Sequence, residues 1–137
     1  MNAFIFQSAP SSYDLRWRLR AGAVEPWHAT RHRNEMKLGD IVFFWMGSTE
    51  SFSGLYGWGE LISAPYAESD SESHGVNVRV RTKFAQPILA HQFRMIPALS
   101  NLLLFRAPQA TNILLAPDQA RAIVRLIRER GEEAPML

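Results

Sequence analysis

Two histidines four residues apart, His28 and His32, have the spacing of a metal-ligand pair on a helix. The chemistry such a pair needs is missing around them. No glutamate stands between them as a general base, no third strong ligand is in view, and Pro26 and Thr30 do not favour a long helix there. No metal site is expected, and no cofactor. An imidazole can still act alone as acid or base beside a phosphodiester, which keeps RNA cleavage by His28 or His32, helped by an arginine, as the enzymatic alternative. The stretch Gly54 to Gly59 lacks the Gly-Lys-Ser/Thr ending of a phosphate cradle and fits no dinucleotide fingerprint. Ser11, Ser12, Ser48, Thr49, Ser51 and Ser53 form no nucleophile elbow and read as turn chemistry. The chain has no cysteine, which removes thiolate metal sites, thiol nucleophiles and disulfides together.

What remains is aromatic. Of the four Trp, Trp17 has apolar neighbours on a short helix and is expected in the core, whereas Trp27, Trp45 and Trp58 stand beside turns or glycines, where a ring can line a cleft. Gly57 and Gly59 flank Trp58 in a strand pattern, which marks a bulge, a bend, or a place where another group must touch the backbone. A planar ligand slipped between rings, its edge against backbone amides and exposed arginines nearby, would need those parts; a flipped nucleobase is the natural candidate. Thirteen of the 15 basic residues are Arg, the side chain suited to bidentate phosphate contacts. The net charge of +2 is too small to mark a nucleic-acid binder by itself, and GC-rich codon usage gives the same Arg excess.

The elements that must position these residues follow from local pattern. Phe4-Ile5-Phe6 reads as a strand ended by Pro10, and Ser11 to Asp14 offers a helix start before Leu15, Trp17 and Leu19, with a stop near Gly22. Glu25-Pro26-Trp27 returns to extended structure because the residue before proline avoids the α region. Lys37 to Asp40 is a turn leading into Ile41 to Trp45, an apolar run of strand length, and Gly54 to Ile62 is another strand. Ala67 to Gly75 is small, polar and acidic, with Glu68, Asp70 and Glu72, and is expected to be an exposed loop. Val76, Val78 and Val80 alternate with Asn77, Arg79 and Arg81, giving a half-buried strand with both arginines on one face. Pro117 and Asp118 open an amphipathic helix that buries Ala120, Ile123, Val124 and Ile127, exposes Arg121, Arg125 and Arg128, and stops at Gly131.

At 137 residues, 47% hydrophobic and 20% charged, the chain suits one folded domain over residues 1–137 and excludes both a disordered chain and a multidomain enzyme. Strands segregated from a few helices predict an α+β fold with a curled, mostly antiparallel sheet. The opening apolar run has no basic lead-in, and no stretch reaches the roughly 18 apolar residues of a membrane span, so a soluble cytoplasmic protein is expected. The last helix has one apolar face, which its own sheet can cover, making a monomer the simpler assumption.

Three blocks of the chain resemble the EVE domain, a branch of the PUA-like fold related to the YTH readers of methylated adenine. They are Phe4 to Pro10; Trp27 to Trp45 continuing into Gly54 to Leu61; and Phe105 to Asn112. The resemblance implies a PUA-like pseudo-barrel with helices over its ends and a non-catalytic pocket for a modified base of DNA or RNA, methylated or hydroxymethylated. It would place Ser8 and Ala9 against the base edge and Trp27 as one aromatic wall. Phe44 or Trp45, with Gly57-Trp58-Gly59, would form the opposing side, and Arg31, Arg33, Arg106 and Gln109 would lie near the mouth. Ala9 stands where many relatives have Glu, which bears on the modification read, and Ala110 replaces a usual Gly. The alternatives are a ribonuclease of the neighbouring ASCH type and a sensor of a free nucleoside. Stacking one base contributes about 1–3 kcal/mol and extruding it from a duplex costs a few, so arginine contacts to phosphate must supply net affinity, with a steep salt dependence.

Overall fold

The computed structural model of the chain describes residues 1–69 and 72–137, so Asp70 of the expected acidic loop lies outside the described residues. Seven strands form one curled sheet: β1 (Ala3–Ser8), β2 (Val24–His28), β3 (Ile41–Met46), β4 (Gly54–Leu61), β5 (Tyr66–Ala67), β6 (His74–Leu89) and β7 (Asn112–Leu114). Three short helices complete it: α1 (Leu15–Arg18), α2 (Ala90–Arg94) and α3 (Pro117–Glu129). The strand order is β2-β6-β4-β3-β1-β7, with β5 paired to β6. Only β1 and β3 run parallel; the other pairs are antiparallel. The expected α+β half-barrel is what forms.

The run Ile41 to Met46 is apolar throughout because this central strand is covered on both faces. Ile41, Phe43 and Trp45 enter one core, together with Ala3 and Ile5 of β1, under α2 and α3. Val42, Phe44 and Met46 enter the other, with Phe4, Phe6, Leu15 and Leu19. Helix α3 behaves as its pattern predicts, burying Ala120, Ile123, Val124 and Ile127.

Three elements differ from expectation. Helix α1 is a single turn, capped by the Asp14 carboxylate accepting from the Arg16 amide at 3.1 Å. One turn can send only Leu15 and the following Leu19 into the core, so Trp17 is 72% exposed rather than buried. Strand β6 runs for 16 residues, well past the expected 76–81, and Pro87 does not end it. The acidic segment is a hairpin at its base, with Tyr66 opposite Gly75 and Ala67 opposite His74. A bulge, one of the features that the glycines beside Trp58 marked, is present: β3 pairs Phe44 with Gly57 but Trp45 with Leu55, leaving Tyr56 as an extra residue. A one-residue slip transfers every later side chain to the other face. Trp58 therefore points into the core under the helices, while Tyr56 points to the opposite one.

Strands β2 and β7 are the two ends of the sheet, and one buried side chain joins them. The Asn112 carboxamide donates to the His28 carbonyl at 2.8 Å and accepts from the amides of Thr30 at 2.8 Å and Arg31 at 3.2 Å. This clasp draws the open sheet toward a barrel.

Candidate functional site

A cavity of about 570 Å³ opens on the face of the sheet away from α3, between the clasped ends. That volume lies within the ordinary range for small-molecule sites. Its floor is the end of β1, Gln7-Ser8-Ala9, and Pro26-Trp27-His28 of β2 form one wall. Tyr13 and Arg18 stand at the α1 side, Tyr66 and Glu68 at the hairpin side, and Pro108 to Thr111 along the segment entering β7.

Each wall has a local cause. Pro26 is tolerated because β2 is an edge strand, and the alternation Pro26 exposed, Trp27 half-buried, His28 exposed turns the indole inward. The Trp27 ring packs on Phe44 at 5.5 Å and Phe6 at 5.8 Å, and Tyr13 meets it edge-on at 5.5 Å. These contacts hold the ring rigidly, and it remains only partly covered. Gln7 ties the segment before β7 to β1: its carboxamide donates to the Ala110 carbonyl at 2.6 Å, and its amide donates to the Thr111 carbonyl at 2.8 Å. Gly47 permits this, since a Cβ there would overlap the Gln7 side-chain oxygen.

Two hydroxyls supply polarity. Among the described residues the Ser8 Oγ, buried in the cavity floor, has no hydrogen-bond partner. Such an atom costs about 1–3 kcal/mol unless something meets it. The Tyr13 hydroxyl reaches the Arg18 carbonyl at 3.3 Å. Burial, and after it the Glu25 carboxylate, push this phenol up to about 12, so at neutral pH it is a protonated donor. The Arg18 guanidinium lies 4.6 Å from the Tyr13 ring centre. On the opposite rim, His28 Nδ1 stands 3.9 Å from a Glu68 carboxylate oxygen.

Of the residues singled out in the sequence, Ser8, Ala9, Trp27 and Gln109 line this cavity. Phe44 is fully buried and supports Trp27 from behind rather than facing the cavity. Trp45 is not a cavity wall: it is 1% exposed in the other core, against Phe93 at 4.8 Å and Phe105 at 5.9 Å. Trp58 is likewise turned away by the bulge, its indole nitrogen donating to the Glu133 carbonyl at 2.9 Å. Gly57 and Gly59 make room for protein, not ligand, because a Cβ at either would overlap carbonyl oxygens of β6, those of Thr82 and Arg79. Arg31, Arg33 and Arg106 are exposed but do not line the cavity. His28 is on β2 and His32 is in a left-handed turn (φ 60°), so no helix brings the pair onto one face. Among the described residues no three His, Asp or Glu side chains converge as a metal site would require. The sequence reading missed Gln7, Tyr13, Arg18 and Asn112. Gln7 and Asn112 had a signal, since they lie within the first and third of the blocks quoted above.

Solved structures share this fold. A hypothetical protein from Leishmania major matches with a TM-score of 0.76 at 18% identity, covering 96% of this chain and 98% of that one. Protein Atu2648 from Agrobacterium tumefaciens matches with 0.73 at 21%, covering 99% and 100%. Human THYN1, solved in complex with DNA containing 5-methylcytosine, matches with 0.72 at 17%, covering 98% and 100%. At these identities the likeness is one of fold. Among curated proteins no match is found. Among the described residues no helix is long and apolar enough to cross a membrane. The EVE domain model matches residues 2–126, nearly the whole of the chain that builds the sheet, the clasp and the cavity, and the chain belongs to the EVE domain family.

Proposed function

We propose that this EVE domain binds DNA or RNA without cleaving it, taking one methylated or hydroxymethylated base out of the stack into the Trp27 cavity. One observation carries the reading: a half-bare indole, braced by Phe6 and Phe44, faces a cavity whose floor holds an unpartnered Ser8 hydroxyl. A flat ring fills the apolar space, and a polar atom on its edge meets the hydroxyl. The complex of human THYN1 with DNA containing 5-methylcytosine supports the ligand class. Ala9 puts no acid at the cavity floor, so the base edge there meets a hydroxyl and backbone rather than a carboxylate.

The test is a binding panel of nonamers, single-stranded and duplex, DNA and RNA, each with one central cytosine, 5-methylcytosine, 5-hydroxymethylcytosine, adenine or N6-methyladenine. The wild-type chain should prefer one modified base, and Trp27→Ala should remove the preference while the fold survives. Equal preference before and after would sink the reading. RNA cleavage that depends on His28 would replace it with the ribonuclease, and binding of a free nucleoside but no oligonucleotide would replace it with a sensor.

A further inference from the structure

Trp17 is the one tryptophan that neither core nor cavity uses, and at 72% exposure it stands in water on α1. It is not loose. The Arg16 guanidinium lies 5.4 Å from the Trp17 ring centre and 3.9 Å from that of Phe52, in contact with both rings. Asp14 fixes the guanidinium through two hydrogen bonds, of 3.0 Å and 2.7 Å. One side of the indole is thus braced, and the rest is open. The next residue, Arg18, is already a cavity wall, so Trp17 stands one residue from the cavity on the α1 side. Arg20 is exposed just beyond. The far rim carries the opposite sign, with Glu68 at the cavity and Glu72 exposed beside it. A polyanion is therefore drawn to the α1 rim and pushed from the hairpin rim.

We propose that Trp17 is a stacking platform for the base next to the one held in the cavity, with Arg18 and Arg20 neutralising the phosphates on either side of that step. This rests on the nucleic-acid reading above and adds a second aromatic contact outside the cavity. An exposed Trp braced by a guanidinium has an intact face for stacking, which is sequence-tolerant because every base offers one.

The experiment uses the full chain, Trp17→Ala and Trp17→Phe, with the best-binding single-stranded nonamer of the panel and the matching free nucleoside. Trp17→Ala should weaken nonamer binding about five- to hundred-fold, Trp17→Phe should retain most of it, and the preference for modified over unmodified base should not move. Nucleoside binding should be unchanged. A 2-aminopurine beside the modified base should be quenched by the wild-type chain and not by Trp17→Ala. Nonamer affinity within twofold of wild type, or a change in self-association alone, would overturn the platform while leaving the cavity reading intact. If no nonamer binds the wild-type chain, both fall.

Discussion

The two faces of the sheet are built from the same kinds of residue and do opposite things. On one, Trp45, Trp58, Phe93 and Phe105 pack beneath α2 and α3. On the other, Phe6, Trp27, Phe44 and Tyr13 make an equally dense aromatic group, yet α1 is one turn long and Trp27 keeps part of its surface bare. Phe44 and Trp45 are neighbours in the chain and belong to different faces. What separates a core from an open cavity here is therefore the length of the covering element, not the composition of the sheet.

That comparison can be broken in order of expected effect. Trp45→Ala should cost about 3–5 kcal/mol in urea unfolding, the price of a large cavity under fixed helices, and the folded fraction should bind its ligand as before. Asn112→Ala strands the His28 carbonyl and the Thr30 amide and should cost about 2–3 kcal/mol, with ligand affinity falling alongside stability because the wall that carries Trp27 is released. Trp27→Ala should cost only about 1–2 kcal/mol of stability, since its ring is partly in water already; a loss as large as that of Trp45→Ala would mean that the two faces are equally structural.

The smallest effect is one of pH. The Tyr13 phenol ionises at 10.0 in the unfolded chain and at about 12 when folded, so its contribution to stability is whole below pH 10.0 and is lost as pH rises toward 12. Tyr13→Phe should flatten that alkaline fall. The difference between wild type and variant isolates it from Tyr56, whose phenol burial also raises.

Much of this was legible in the sequence where pattern is local. The apolar run Ile41 to Trp45, the alternation Val76 to Arg81 and the proline-led last helix formed as read, and Ser8 and Trp27 reached the cavity. Trp58 was misread because a bulge one residue long, at Tyr56, reverses the face of everything after it; the flanking glycines marked an irregularity of this kind but not which face the indole would take. Trp17 was misread because an apolar neighbourhood in sequence does not state how many turns a helix will make. Tyr13 and Arg18 were missed for a related reason: they come to Trp27 through tertiary packing across α1 and β2, with no spacing between them to count.

The Asn112 clasp has a consequence for the aperture of the site. The curl of an open sheet is ordinarily the summed outcome of many small strand twists, and its two ends meet only on average. Here the Asn112 carboxamide makes three of the bonds across the gap, beside one long Thr111–Thr30 hydroxyl contact of 3.4 Å, so its length acts as a gauge block: Gln would hold the ends further apart, and Asp could receive the two amides but not hold the carbonyl. The width of the mouth is thus calibrated by a side chain that does not itself line the cavity.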